Sequence, residues 1–190
     1  MMLFAAVLVP VVRRAQPTLV VVRRAAHLRR NPDQIAFPGG LVDSTDVDAG
    51  AAALREFEEE LGVPRRSAVI CGRLDDVVTL SGSVTIAPFV AIVEPPLRFA
   101  PDSAETQSVH EIPLDALYAP GALHEGRERV VVEGAAREVR SWLFDYDGIH
   151  IWGATARIMH MLLQRYESAW ALLAATAGRE ATVENAMRRA

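Results

Sequence analysis

The sequence predicts an α/β fold in which a mixed β-sheet lies between helices. Three observations predict it. Short β-branched runs recur at Ala5–Val12, Leu19–Arg23, Ala68–Leu74 and Val84–Val93. One strongly helical stretch, around Ala51–Leu61, interrupts them, and a second helical pattern covers Ala154–Tyr166. Strands alternating with helices in this way favour a layered sheet over a bundle or a sandwich.

The chain has 190 residues, 51% of them hydrophobic, enough for one domain with a real core. The expected organisation is a domain over residues 1–166 and a helical extension over 167–190, which either joins that domain or meets a second copy. The apolar start, MMLFAAVLVPVV, is too short to cross a bilayer and lacks the basic start of a signal peptide. It is read as a buried strand, and no membrane partner is expected. The next run, TLVVVRR, follows a turn at Gln16-Pro17 and forms a hairpin with the first. A basic loop follows, with Arg24, Arg29 and Arg30. A net charge of −4 and the lack of a long basic block argue against nucleic acid as a partner. The single cysteine, Cys71, sits in an apolar run; a buried, inert thiol is expected, and a cytoplasmic setting suits it.

The stretch Phe37–Val63, FPGGLVDSTDVDAGAAALREFEEELGV, carries the chemistry. Pro38-Gly39-Gly40 is a turn that permits close backbone approach. Asp43, Asp46 and Asp48 lie in the loop that follows. Ala53, Leu54, Phe57 and Leu61 give the helix an apolar stripe, and Gly62 and Pro64 stop it. Glu56, Glu59 and Glu60 stand at i, i+3 and i+4 and share one face. Three neighbouring carboxylates repel, and a hard divalent cation, which takes oxygen ligands and pairs carboxylates with phosphates, removes that repulsion. Arg55 and Glu59 are i, i+4 ion-pair partners.

Further along, Asp75-Asp76 reads as a turn, and Val77–Leu80 as a strand leading to Val84–Val93. Ala119–Gly126 reads as a Pro/Gly loop that could act as a lid, and Glu128–Val132 with Arg137–Tyr146 as a hairpin around Gly134. Ile158, Met161, Leu162 and Arg165 stand at helical spacing in the last helix, and Trp152 is expected in the core. Trp170, Leu172 and Leu173 could pack on a second copy of the chain, giving a homodimer, or fray. The five histidines show no zinc-ligand spacing.

Gly-Gly, a loop, then R-E-apolar-x-E-E-x-G-apolar resembles the box of the Nudix hydrolases. The loop from Gly40 to Arg55 is one residue longer than usual, with Asp46 where a Glu is common. That variant is similar to the coenzyme A pyrophosphatase branch. So are Arg24, Leu28-Arg29 and Ile35–Gly40 upstream, and the Ile151–Ala156 run, IWGATA. Val22, Ala25 and Asp33 depart from the branch's upstream signature.

The resemblance implies a Nudix-type α/β/α sandwich and Mg²⁺- or Mn²⁺-dependent hydrolysis of coenzyme A or acyl-CoA. The metal ligands it implies are Glu56, Glu59 and Glu60, with a backbone carbonyl near Gly40. Glu59 and Glu105 are the candidates for the catalytic base, and Arg24, Arg29 and Phe37 for substrate contacts. Two other expectations stay open: a nucleoside diphosphate derivative (ADP-ribose, a dinucleotide or a nucleotide sugar) as substrate, and a non-catalytic nucleotide sensor, against which the three retained box glutamates count.

Overall fold

A computed structural model describes residues 2–28, 30–132 and 135–166. The expected extension over 167–190, its dimer contact and Arg29 lie outside the described residues.

The apolar start forms β1 (Leu3–Val12), and β7 (Val84–Val93) pairs with it in parallel along its whole length. Both strands are covered on two faces, which explains why β1 reads as a continuous apolar run rather than an alternating one. Alternation survives in where the side chains go. Val7 and Val9 enter one core; Ala6, Leu8 and Val12 enter the other. The second core is closed by α1 (Ala49–Leu61), through Ala52, Ala53, Phe57 and Leu61. The first is closed by the helix over 153–166, here α3, through Ala156, Ile158, Met159 and Leu162. The α/β/α sandwich expected from the sequence is thus the observed architecture.

The other side of β1 is shared by two strands. β2 (Thr18–Arg24) pairs with it only at Val11↔Leu19 and Val12↔Thr18. At the opposite end β4 (Gly39–Leu41) takes over, with Ala5↔Leu41, Ala6↔Gly40 and Val7↔Gly39. β2 meanwhile pairs with β3 (Ile35–Ala36) and β8 (Thr106–Pro113). β5 (Ala68–Arg73) and β6 (Val77–Val78) complete an eight-stranded sheet on β7. A short helix, α2 (Leu114–Tyr118), follows β8. A second sheet of three strands, β9 (Leu123–Val132), β10 (Ala135–Tyr146) and β11 (Ile149–Ile151), packs Phe144, Ile149 and Ile151 into the α3-side core. The buried Thr155 hydroxyl donates to the Ile35 carbonyl at 3.0 Å and ties the start of α3 to β3.

Three expectations are corrected. The loop at Ala119–Gly126 ends sooner: from Leu123 the chain is strand, paired with Phe144. Gly126 is not a breaker there; a Cβ at that position would collide with the Leu143 side chain. Cys71 is exposed, because the register of β5 against β7 shifts between Ile70 and Gly72 and leaves it as the extra residue on an edge strand. Trp152 is only half-buried.

Candidate active site

The box helix is held at both ends by its sequence. Asp48 caps it, accepting from the Ala51 N–H at 2.8 Å. Gly62 ends it in the left-handed region (φ 65°) and donates to the Glu58 carbonyl. Phe57 and Leu61, fully buried, fix its rotation against the sheet. That rotation separates the three glutamates. Glu60 is 3% exposed, Glu56 half-buried, and Glu59 exposed.

Glu60 accepts a hydrogen bond from the Gly39 N–H at 3.1 Å. Burial pushes its carboxyl up to about 8; the Gly39 bond and the Arg24 charge act against this, while Glu56 and Glu105 add to it. Glu56 is also raised, first by burial, against the opposing hydrogen bond and charge of Arg55. Its carboxylate lies against Gly40, where a Cβ would come within 2.5 Å of it. A side chain at Gly40 would therefore fill the space this carboxylate uses.

Arg55 gathers the acidic groups of helix and loop. Its Nε and Nη2 each donate to Asp46 at 3.0 Å, a two-pronged pair. Its Nη1 donates to Glu56 at 2.7 Å and to Glu59 at 3.0 Å, and Nη2 also reaches the Leu41 carbonyl at 3.3 Å. The Arg55–Glu59 pair read from the i, i+4 spacing is thus present. Asp46 is held below the usual carboxylate range, first by the Arg55 hydrogen bonds, and Asp43 by the Thr45 N–H.

Glu105 arrives from a distant part of the chain. The segment before β8 docks on the end of α1: Ala100 N–H donates to Leu61 O at 2.9 Å and Asp102 N–H to Glu60 O at 3.4 Å. Asp102 O then accepts from the Glu105 and Thr106 amides, and Glu105 O accepts from Ala25 N–H at 2.8 Å. Arg24 sits one residue before that contact. Its Nε is buried with no hydrogen-bond partner among the described residues.

Arg24, Gly39, Gly40, Glu56, Glu60 and Glu105 share an open cleft of about 630 Å³. Glu59 does not line it and faces solvent beside Arg55. Phe37 is corrected: its ring is 3% exposed, in the α3-side core, because β3 and β4 turn it inward, so it shapes the turn rather than facing a ligand. Val22 and Ala25 are buried core residues and Asp33 is exposed away from the cleft lining. The Gly39 amide to Glu60 was not readable in the sequence; the Gly-Gly pair was the signal for it.

Among the described residues no group of three or more His, Cys, Asp or Glu side chains is arranged to hold a metal ion by itself. The donor set nevertheless suits a hard divalent cation completed by phosphate oxygens, as carboxylate-poor Mg²⁺ sites are. The Glu60 carboxylate is buried beside two like charges, and the space at Gly40 leaves Glu56 accessible. Positive charge between them relieves both costs.

Comparison with known proteins agrees. The NUDIX domain model matches residues 2–133. A protein named "Uncharacterized Nudix hydrolase NudL" from Escherichia coli (strain K12 / DH10B) is 41% identical over 159 residues, covering 83% of this chain and 80% of that protein. Among solved structures, a MutT/nudix family protein from Enterococcus faecalis superposes with a TM-score of 0.56 at 16% identity, over 88% of this chain and 63% of that one. An Ap4A hydrolase from C. elegans gives 0.50 at 21% identity, over 58% and 80%; at such identities these two bear on the fold alone. The chain belongs to the Nudix hydrolase family, pyrophosphohydrolases that act on phosphorus-containing anhydrides.

Proposed function

We propose that this protein hydrolyses the pyrophosphate bond of coenzyme A or an acyl-CoA in the cytoplasm, giving 3′,5′-ADP and (acyl-)4′-phosphopantetheine. The observation that carries the reading is the convergence of Glu56, Glu60, Glu105 and Arg24 on one cleft beside Gly40. The narrowing to coenzyme A rests on the similarity of Arg24, Ile35–Gly40 and Ile151–Ala156 to that branch. Val22, Ala25 and Asp33 depart from its signature and keep the second reading below open.

Glu56, Glu60 and the Gly40 carbonyl would hold Mg²⁺ or Mn²⁺, with Glu59 as a further ligand once Arg55 releases it. Such an ion, when bound, neutralises phosphate charge and acidifies a bound water. Water adds to one phosphorus, the bridging P–O bond breaks, and the water's proton passes to a carboxylate within hydrogen-bond reach. Glu105, at the cleft wall, and Glu59, on the solvent side, are the two candidates for that carboxylate. The Arg24 guanidinium orients the diphosphate; its Nε, without a hydrogen-bond partner among the described residues, supports that role. A second reading, a nucleoside diphosphate derivative such as ADP-ribose, shares the diphosphate for which these groups are suited.

The test is product release from CoA, ADP-ribose and NADH with Mg²⁺ or Mn²⁺, followed by chromatography. CoA should give 3′,5′-ADP, and Glu59→Gln should reduce turnover by about 10²–10³ with the fold intact. Full activity in Glu59→Gln overturns the role of Glu59, and hydrolysis of ADP-ribose alone overturns the substrate.

A further inference from the structure

Three buried side-chain polar atoms have no hydrogen-bond partner among the described residues: Thr85 Oγ1 on β7, Arg24 Nε and Thr106 Oγ1. Folded proteins rarely leave such atoms unpaired, because each costs stability. The last two are neighbours. Arg24 and Thr106 stand opposite each other where β2 pairs with β8.

An irregularity in the sheet sets them there. Val22 lies opposite Val109, and both pack in the α1-side core. Regular pairing would next place Gln107 opposite Arg24. The register shifts between Arg23 and Arg24 instead, so Gln107 is the extra residue, exposed, and Thr106 takes its place. Residues paired across two strands project from the same face of the sheet. The Thr106 side chain therefore shares the face of Val22, Arg24 and the box helix, and the residue is 2% exposed there. The backbone on both sides is fixed. Arg24 N–H donates to Gln34 O at 2.9 Å, Ala25 N–H to Glu105 O at 2.8 Å, and Thr106 N–H to Asp102 O at 2.8 Å. Side-chain rotation is what remains to bring Nε and Oγ1 together. Beyond Nε the Arg24 side chain lines the cleft, and its charge acts on Glu60.

We propose that Thr106 is a positioning residue for Arg24: when a diphosphate enters the cleft, the guanidinium turns so that Nε–H donates to Thr106 Oγ1 and both terminal nitrogens face phosphate oxygens. The inference rests on the reading that Arg24 binds the diphosphate, and adds how that side chain is aimed. A guanidinium is a planar fork that meets an oxyanion either along its Nε–Nη2 edge or end-on through Nη1 and Nη2. A hydroxyl on Nε selects the end-on approach. The two atoms are unpaired in the free protein and paired in the complex, so the bond favours the complex alone.

The test is calorimetric titration with α,β-methylene-ADP, a diphosphate whose P–C–P bridge resists hydrolysis, in the presence of Mg²⁺. The proteins are the wild type, Thr106→Val, Thr106→Ser, Arg24→Lys and the double variant Arg24→Lys/Thr106→Val. Val keeps the shape of Thr and lacks the hydroxyl. Thr106→Val should weaken binding by about 10-fold, the scale of one hydrogen bond to a charged group, and Thr106→Ser should retain most of the affinity. Lys has no Nε–H, so adding Thr106→Val to Arg24→Lys should change binding by less than about 2-fold. In urea, Thr106→Val should leave the midpoint of the free protein unchanged or raise it, because no bond is lost there. Wild-type affinity in Thr106→Val overturns the inference, and so does an equal loss from Thr106→Val in both backgrounds. Wild-type affinity in Arg24→Lys overturns the diphosphate reading of Arg24 and the inference with it. The probe carries neither a pantetheine nor a second ribose, so each result holds whichever diphosphate derivative is the substrate.

Discussion

Replacing Glu60 by Gln should change how the metal-free protein responds to pH. The Glu60 carboxyl is moved by burial from an ordinary 4.5 to about 8 in the folded chain. The neutral form is therefore favoured on folding. Its contribution to stability is fully present below about pH 4.5, declines as pH rises through about 8, and is gone above that. A displacement of that size disfavours the charged form by at most roughly 5 kcal/mol, at about 1.4 kcal/mol per pH unit. Internal relaxation reduces this, and a loss of a few kcal/mol between pH 5 and 9 is the expected scale. For a chain of this length that is a fall in Tm on the order of 5–15 °C. Gln keeps an oxygen to accept from the Gly39 N–H and carries no proton to lose. Calorimetry of both proteins in a chelator should show a declining Tm for the wild type, a flatter profile for Glu60→Gln, and a wild-type recovery at high pH when Mg²⁺ is added. Parallel profiles for the two proteins would refute the claim that Glu60 is the buried charge relieved by a cation.

Gly40→Ala places a methyl within 2.5 Å of the Glu56 carboxyl; a drop in turnover of about 10²-fold is expected, with circular dichroism unchanged, because carboxylate misplacement on the 1 Å scale costs that much. Phe57→Ala empties the centre of the α1-side core and should lower unfolding free energy by about 3–5 kcal/mol in urea titrations. Gly126→Ala should change stability by less than about 1 kcal/mol in the same titration, because the added methyl meets only the end of the half-exposed Leu143 side chain, which can turn aside.

Much of this molecule was legible because its signals are local. The box helix announced its C-terminal end at Gly62, its apolar stripe and the Arg55–Glu59 pair, whereas Asp48, which caps its start, read only as a loop residue. The approximate limits of β7 and α3 followed from apolar runs and helical spacing. What escaped depends on partners remote in sequence. Gly39–Leu41 has little strand propensity, and becomes a strand because β2 peels away from β1 and leaves backbone groups to be paired. Phe37 stands beside a functional turn, yet its side chain is directed into the core by that same pairing. Cys71 reads as an interior strand residue until the register shift is seen. Glu105 was singled out by resemblance alone, and its place at the cleft depends on backbone hydrogen bonds to Leu61, Glu60 and Ala25 that no local pattern reveals.

The exchange of β2 for β4 along β1 also separates spacing from function. Gly40 is indexed to Ala6 by sheet pairing, and Glu56 is indexed to the same sheet by the packing of Phe57 and Leu61. The distance between them is set by the scaffold, not by the number of residues in between. The intervening loop runs out into solvent, with Val47 93% exposed, and is tethered by the Asp46–Arg55 pair. A box one residue longer than usual therefore costs nothing in geometry. Added length in this loop leaves Gly40 in place as long as Asp46 still reaches Arg55, while a one-residue slip of β4 against β1 would displace Gly40 from Glu56 by a full strand step.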